Sequence, residues 1–91
     1  MYRLQLDGLS WQELDGEIVA LDVRNSVYIT TNRTGTFMWH LLVAGIGEAA
    51  LVKALQDRYE LDLDRARSDV QAFIDRLRLH DLIEASPTQA S

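Results

Sequence analysis

His40 and His80 are the first residues to test for chemistry, because imidazole serves as a general base and as a metal ligand near neutral pH. They stand forty residues apart, with no second ligand at a metal-binding spacing, and the chain contains no cysteine. Thiolate metal sites, Fe–S clusters, disulfides and a cysteine nucleophile are thereby excluded. His40 with an Asp and a Ser would suit a hydrolytic triad, but no G-x-S-x-G turn is present to expose the nucleophile. The acidic residues Asp57, Glu60, Asp62 and Asp64 do not follow the order of an EF-hand calcium loop and read as helix caps and solvated charge. The chain is therefore expected to be no enzyme, with no catalytic residue, metal or cofactor.

A different chemistry is offered by Ser26–Thr31, SVYITT, in which four of six residues are β-branched and none is Pro or charged. A strand at a sheet edge presents unpaired N–H and C=O groups, and proteins blunt such an edge with charge or proline unless it is used to add a strand from a partner. This stretch carries no such device.

The elements around it follow from pattern. Trp11–Leu14 and Glu17–Val23 read as strands joined by the hairpin dipeptide Asp15-Gly16, and Arg24-Asn25 turns the chain into Ser26–Thr31. Asn32 or Thr34 caps a first helix that runs to Leu42 or Val43, with Phe37 and Trp39 in the core and Gly45 and Gly47 ending it. A second helix covers Glu48 to Tyr59. A third starts after Asp62 or Asp64 and runs to about His80, with Ala66, Val70, Phe73, Ile74 and Leu77 as one apolar stripe. Leu82-Ile83 closes the core. The order β-β-β-α-α-α describes an α+β domain, a three-stranded antiparallel β-sheet followed by three α-helices in a winged-helix-like arrangement. Residues 1–84 form the domain, and 85–91, ASPTQAS, read as a flexible tail.

Composition sets the outer bounds. Ninety-one residues with 47% hydrophobic and 25% charged residues suit one small globular core. No run of eighteen apolar residues and no signal-peptide pattern is present, so a cytoplasmic protein without membrane contact is expected. The net charge of −5 opposes binding to nucleic acid.

Read together, "IVALDVRNSVYITTN", "NRTGTFMWHLL", "LVKALQDRYELD" and "ARSDVQAFIDRLRLHDLIE" resemble the PqqD-type family, the precursor-peptide recognition elements of ribosomal peptide modification. The markers are Leu21-Asp22 before the turn, Tyr28, Asn32 through Gly35, Trp39, Asp69 before Val70, and the closing Leu82-Ile83. Two positions depart from the family pattern: Thr31 stands where an aliphatic residue is common, and Asp81 where Gly is common. In the form "LDVRNSVYITTNRTGTFMW" the chain is most similar to the discrete recognition proteins of lasso-peptide pathways.

The resemblance implies a non-catalytic adaptor that binds the leader segment of a precursor peptide and presents it to a transglutaminase-like leader peptidase and a macrocyclase. The leader would add as a strand on Ser26, Val27, Tyr28, Ile29, Thr30 and Thr31, in a groove whose helical wall holds Asp69, Val70, Phe73, Ile74, Arg76 and Leu77. Within that wall Phe73 and Val70 are the better groove candidates, and Ile74 is expected to be mostly structural. Tyr28 belongs to either the core or the groove, since parity alone does not say which face meets the helices. Asp69 orients a leader group, bonds within the domain or faces solvent. Residues Asp64 to His80 hold four basic and three acidic side chains, a local +1 suited to acidic groups on a leader or partner. Three alternatives remain: a PqqD-type chaperone for a radical enzyme in another peptide or cofactor pathway, a winged-helix DNA binder, and an interaction domain whose open edge mediates homodimerisation. The second is opposed by strands that precede the helices and by the acidic charge.

Overall fold

The computed structural model describes residues 1–85. Its elements are β1 (Tyr2–Leu4), β2 (Leu9–Leu14), β3 (Glu17–Asp22), β4 (Val27–Thr30), α1 (Arg33–Ala44), α2 (Glu48–Tyr59), α3 (Leu63–Leu79) and β5 (Ile83–Ala85). The expected meander is present as an antiparallel sheet in the order β2-β3-β4, with three helices after it. Two short strands were not anticipated. β1 and β5 pair antiparallel through Tyr2–Ala85 and Leu4–Ile83, tying the two ends of the described chain together. Ala85, expected in the tail, is thus the last residue of a strand; the rest of that segment lies outside the described residues.

Local chemistry explains the boundaries. Asp15 and Gly16 both take positive φ, 54° and 79°, in the two-residue turn between β2 and β3. Asn32, one of the two expected caps, accepts from the Gly35 N–H at 2.8 Å and starts α1; Asp62 does the same for the Arg65 N–H at 2.8 Å and starts α3. Gly45 ends α1 at φ 94°. Ser26, expected as the first residue of the third strand, has φ 55° and belongs to the preceding turn, so the strand begins at Val27.

The departures from the family pattern find their reasons here. Asp81 has φ 56°, a left-handed conformation that glycine adopts freely and that Asp tolerates better than most residues. Thr31 is buried, and its hydroxyl accepts from the Ile18 N–H at 3.0 Å and lies 2.8 Å from the Thr36 hydroxyl. A polar side chain replaces an aliphatic one there without leaving its oxygen unpaired.

One face of the sheet, Ile18, Ala20, Asp22 and Ile29, is buried beneath the helices, and the core continues through Trp39, Leu42, Leu51, Leu55, Ile74 and Leu82. Trp11 of β2 packs edge-to-face on Trp39 of α1 at 5.6 Å. Phe37, expected in the core, is half-buried and stacks edge-on against Tyr59. No helix among the described residues is long and apolar enough to cross a membrane.

Candidate functional site

The hairpin that leads into β4 is held by Asp22. Its buried carboxylate accepts from the Asn25 side chain at 2.8 Å and from the backbone N–H groups of Arg24 and Asn25. The Asn25 side-chain bond, with those backbone bonds and the Arg24 charge, lowers the Asp22 pKa, and desolvation opposes them. The Leu21-Asp22 marker is thus structural, because it shapes the turn from which the edge strand departs.

β4 is an edge. Its inner neighbour is β3, with Ala20 opposite Ile29 and Leu21 opposite Tyr28, and no strand pairs with its other side among the described residues. The Thr31 N–H donates to the Ile18 carbonyl at 3.0 Å. Backbone groups alternate along an antiparallel strand, so Val27, Ile29 and Thr31 point theirs into the sheet, while Tyr28 and Thr30 point theirs outward. The outward edge therefore consists of the N–H and C=O groups of Tyr28 and Thr30. The question of parity left open for Tyr28 is answered by the same register: its side chain is 66% exposed on the face away from the helices, and Ile29 is the one buried beneath them.

Where β4 runs into α1, a cleft of about 320 Å³ opens between the strand end and α3. One wall is Thr31, Asn32, Thr34, Gly35 and Met38; the other is Arg65, Asp69, Ala72, Phe73 and Arg76, which recur at the three- and four-residue spacing of a single helix face. Gly35 permits this closeness, since a Cβ there would stand 3.0 Å from the Thr31 Cβ and 3.1 Å from a Phe73 ring carbon.

Of the twelve residues expected at the site, Thr31, Asp69, Phe73 and Arg76 line the cleft, and Val27 to Thr30 form the edge that leads to it. Val70, Ile74 and Leu77 are corrected: each is no more than 1% exposed, so they are core residues behind the wall with no surface turned to the cleft. The reason is helical phase. The stripe Ala66, Val70, Phe73, Ile74, Leu77 faces the core, and the cleft face is rotated from it, with Phe73 alone, 7% exposed, belonging to both. Sequence reasoning missed Asn32, Thr34, Gly35, Met38, Arg65 and Ala72 as lining residues. The available signal was the Arg65, Asp69, Ala72, Arg76 spacing beside the apolar stripe.

Charge in the cleft is organised. Arg65 Nε lies 3.3 Å from each carboxylate oxygen of Asp69, a bond within the domain. Arg76 reaches across and donates from Nη2 to the Thr30 carbonyl at 2.6 Å. His40, considered above for catalysis, pairs instead with Glu13 at 2.6 Å at the opposite edge of the sheet. Among the described residues no cluster of His, Cys, Asp or Glu is placed to hold a metal ion.

The architecture is thus that of a small α+β scaffold in which the edge strand β4 runs into a helix-walled cleft. Residues 17–83 match the family model described as coenzyme PQQ synthesis protein D, and the chain belongs to that PqqD family. Among solved structures it is similar to TbiB1 in complex with the TbiA(beta) leader peptide, at 24% identity and a TM-score of 0.83, covering 93% of this chain and 98% of that one. It is also similar to lasso peptide synthetase B1 complexed with the leader peptide, at 25% identity and a TM-score of 0.79, covering 92% of this chain and 98% of that one. No curated protein matches the sequence.

Proposed function

We propose that this protein is a non-catalytic adaptor of the cytoplasm that binds the leader segment of a ribosomally made precursor peptide, in first place a lasso-peptide precursor, by adding it as a strand to β4. The observation that carries this reading is the coincidence of a free edge, built from the backbone of Tyr28 and Thr30, with a cleft walled by α3 at the end of the same strand. Backbone hydrogen bonds to the edge give sequence-tolerant docking, and alternate leader side chains enter the cleft against Phe73, Met38 and Ala72. The similarity to two leader-peptide complexes supports the same ligand class.

Energetics ask for more than one anchor. Ordering a disordered segment costs about 2–5 kcal/mol or more, whereas one well-buried apolar side chain contributes about 1.5–3 kcal/mol. Two or three anchors, together with the edge hydrogen bonds, give a usable affinity. The bound leader would then be presented to a leader peptidase of transglutaminase type and to a macrocyclase.

The family description favours a second reading, a peptide chaperone for a radical enzyme in cofactor synthesis. Both readings place a peptide on β4 and differ in the precursor and in the enzyme served. The test is fluorescence polarisation with the labelled leader of the precursor encoded beside this gene, a scrambled leader and a DNA duplex as controls. Selective, salt-tolerant leader binding is expected. Salt-sensitive binding to the duplex alone would overturn the adaptor reading, and a neighbouring radical enzyme in place of a cyclase and peptidase would select the second.

A further inference from the structure

The free edge of β4 is not empty. Of its outward-facing groups, the Thr30 carbonyl is already occupied by Arg76, whose guanidinium Nη2 donates to it at 2.6 Å from across the cleft. A charged side chain laid over an edge is a known way to discourage unwanted strand pairing. It also stands where an incoming peptide N–H must bond if the added strand is to pair as far as the end of β4.

We infer that Arg76 is an exchangeable cover on the edge and makes the site selective for an extended peptide carrying an Asp or Glu near its contact with Thr30. The inference rests on the strand-addition reading above and adds the chemistry of one ligand position. When the strand adds, the Thr30 carbonyl passes from a charged donor to a neutral backbone N–H, and a charge-assisted bond is the stronger of the two. The exchange favours binding when the released guanidinium gains a new acceptor.

The carboxylates nearest to it on α3 already have partners. The carboxylate on the cleft wall, Asp69, has both oxygens engaged by Arg65, and Asp75, next to Arg76 in sequence, accepts from Gln71 at 2.8 Å. On α3 the positions three and four residues from Arg76 are Ala72, Phe73, Leu79 and His80, none of them acidic. The cleft walls hold Arg65 and Arg76 against Asp69 alone, a positive excess in a chain whose net charge is −5. A carboxylate from the peptide completes the exchange, and the planar guanidinium suits it in two-point contact.

The experiment compares the leader of the neighbouring precursor with peptides in which each Asp or Glu is changed singly to Asn or Gln, titrated against the wild type, Arg76→Ala and Arg76→Lys. One acid-to-amide change is expected to weaken wild-type binding by about three- to tenfold. Arg76→Ala should bind that pair of peptides equally, and Arg76→Lys should keep part of the preference because charge remains without the fork. The carbonyl carbon shift of Thr30 in the free protein should move in Arg76→Ala, a readout that needs no ligand. An unmoved Thr30 shift, a leader free of Asp and Glu, or an equal acid-to-amide loss in wild type and Arg76→Ala would overturn the inference. Leader binding without acid preference would defeat this inference alone; no leader binding by the wild type would defeat the adaptor reading as well.

Discussion

The sheet has two edges, and they differ in what stands beside them rather than in the backbone groups they offer. On β2, alternation leaves Trp11 and Glu13 with outward N–H groups, much as Tyr28 and Thr30 are left on β4. Beneath β2, however, α1 lies close: Trp11 packs on Trp39, and Glu13 is joined to His40. Beside β4 the helical layer stands back, and the gap is the cleft walled by α3. An added strand needs both a ladder and pockets for its alternate side chains, and beside β4 the cleft walled by α3 supplies the second. On the proposed reading, β2 serves stability and β4 serves recognition.

The sharpest division concerns large apolar side chains. Phe73→Ala is expected to cost about 3–5 kcal/mol of stability, because the ring is packed in the core as well as in the cleft wall. That is a large share of the roughly 5–14 kcal/mol available to a domain of this size, so urea unfolding should show a marked fall in midpoint. Phe73→Leu is the cleaner binding probe and should lower leader affinity with most stability retained. Were Phe73→Leu to bind leader as tightly as the wild type, the cleft would lose its main anchor.

Trp11→Ala tests the other edge. The half-buried ring is expected to contribute about 2 kcal/mol, so thermal unfolding should shift down while leader affinity in the folded protein stays unchanged. A loss of affinity without a loss of stability would assign recognition to β2.

Two proline substitutions set the edges directly against each other. Tyr28→Pro and Glu13→Pro each remove an outward-facing donor, the position at which a strand tolerates proline. Tyr28→Pro should weaken leader binding by about tenfold, since one backbone bond is lost and its neighbours are displaced, and Glu13→Pro should leave it unchanged. The reverse pattern would place the peptide on β2. Val27→Pro is the wrong experiment, because the Val27 N–H faces β3 and its loss would damage the sheet itself.

The smallest effect belongs to the turn before β4. Asp22 has a lowered pKa in the folded state, so its contribution to stability is complete above the unfolded carboxylate value of about 3.9 and disappears as pH falls through the lower folded value. Acid unfolding of Asp22→Asn should therefore show a weaker pH dependence than the wild type below about pH 4. Identical acid titrations would remove Asp22 from the control of this turn.

Much of this arrangement was legible in sequence because it depends on local chemistry. Asp15-Gly16 specifies its turn by the conformations both residues tolerate, and Asn32 and Asp62 start helices by bonding the N–H three residues on. The apolar stripe of α3 gave the core face, and β-branched SVYITT gave the strand. β1 and β5 were not legible: each is three residues long and exists because the other pairs with it across most of the chain. Equally hidden was the division within α3, since Val70 and Phe73 are alike in hydropathy pattern and only the position of α1 decides which meets the cleft.

The sequence by itself determined the three-stranded meander and the three helices, their order, the absence of cysteine chemistry and a strand without guarding charge. Those follow from backbone preference and hydrophobic period, which act over a few residues. Tertiary structure alone decided that the guard comes from elsewhere: Arg76, forty-six positions from Thr30, reaches the edge because helix packing sets α3 across the cleft. Long-range contacts of this kind depend on how layers pack in space, and no local pattern encodes them.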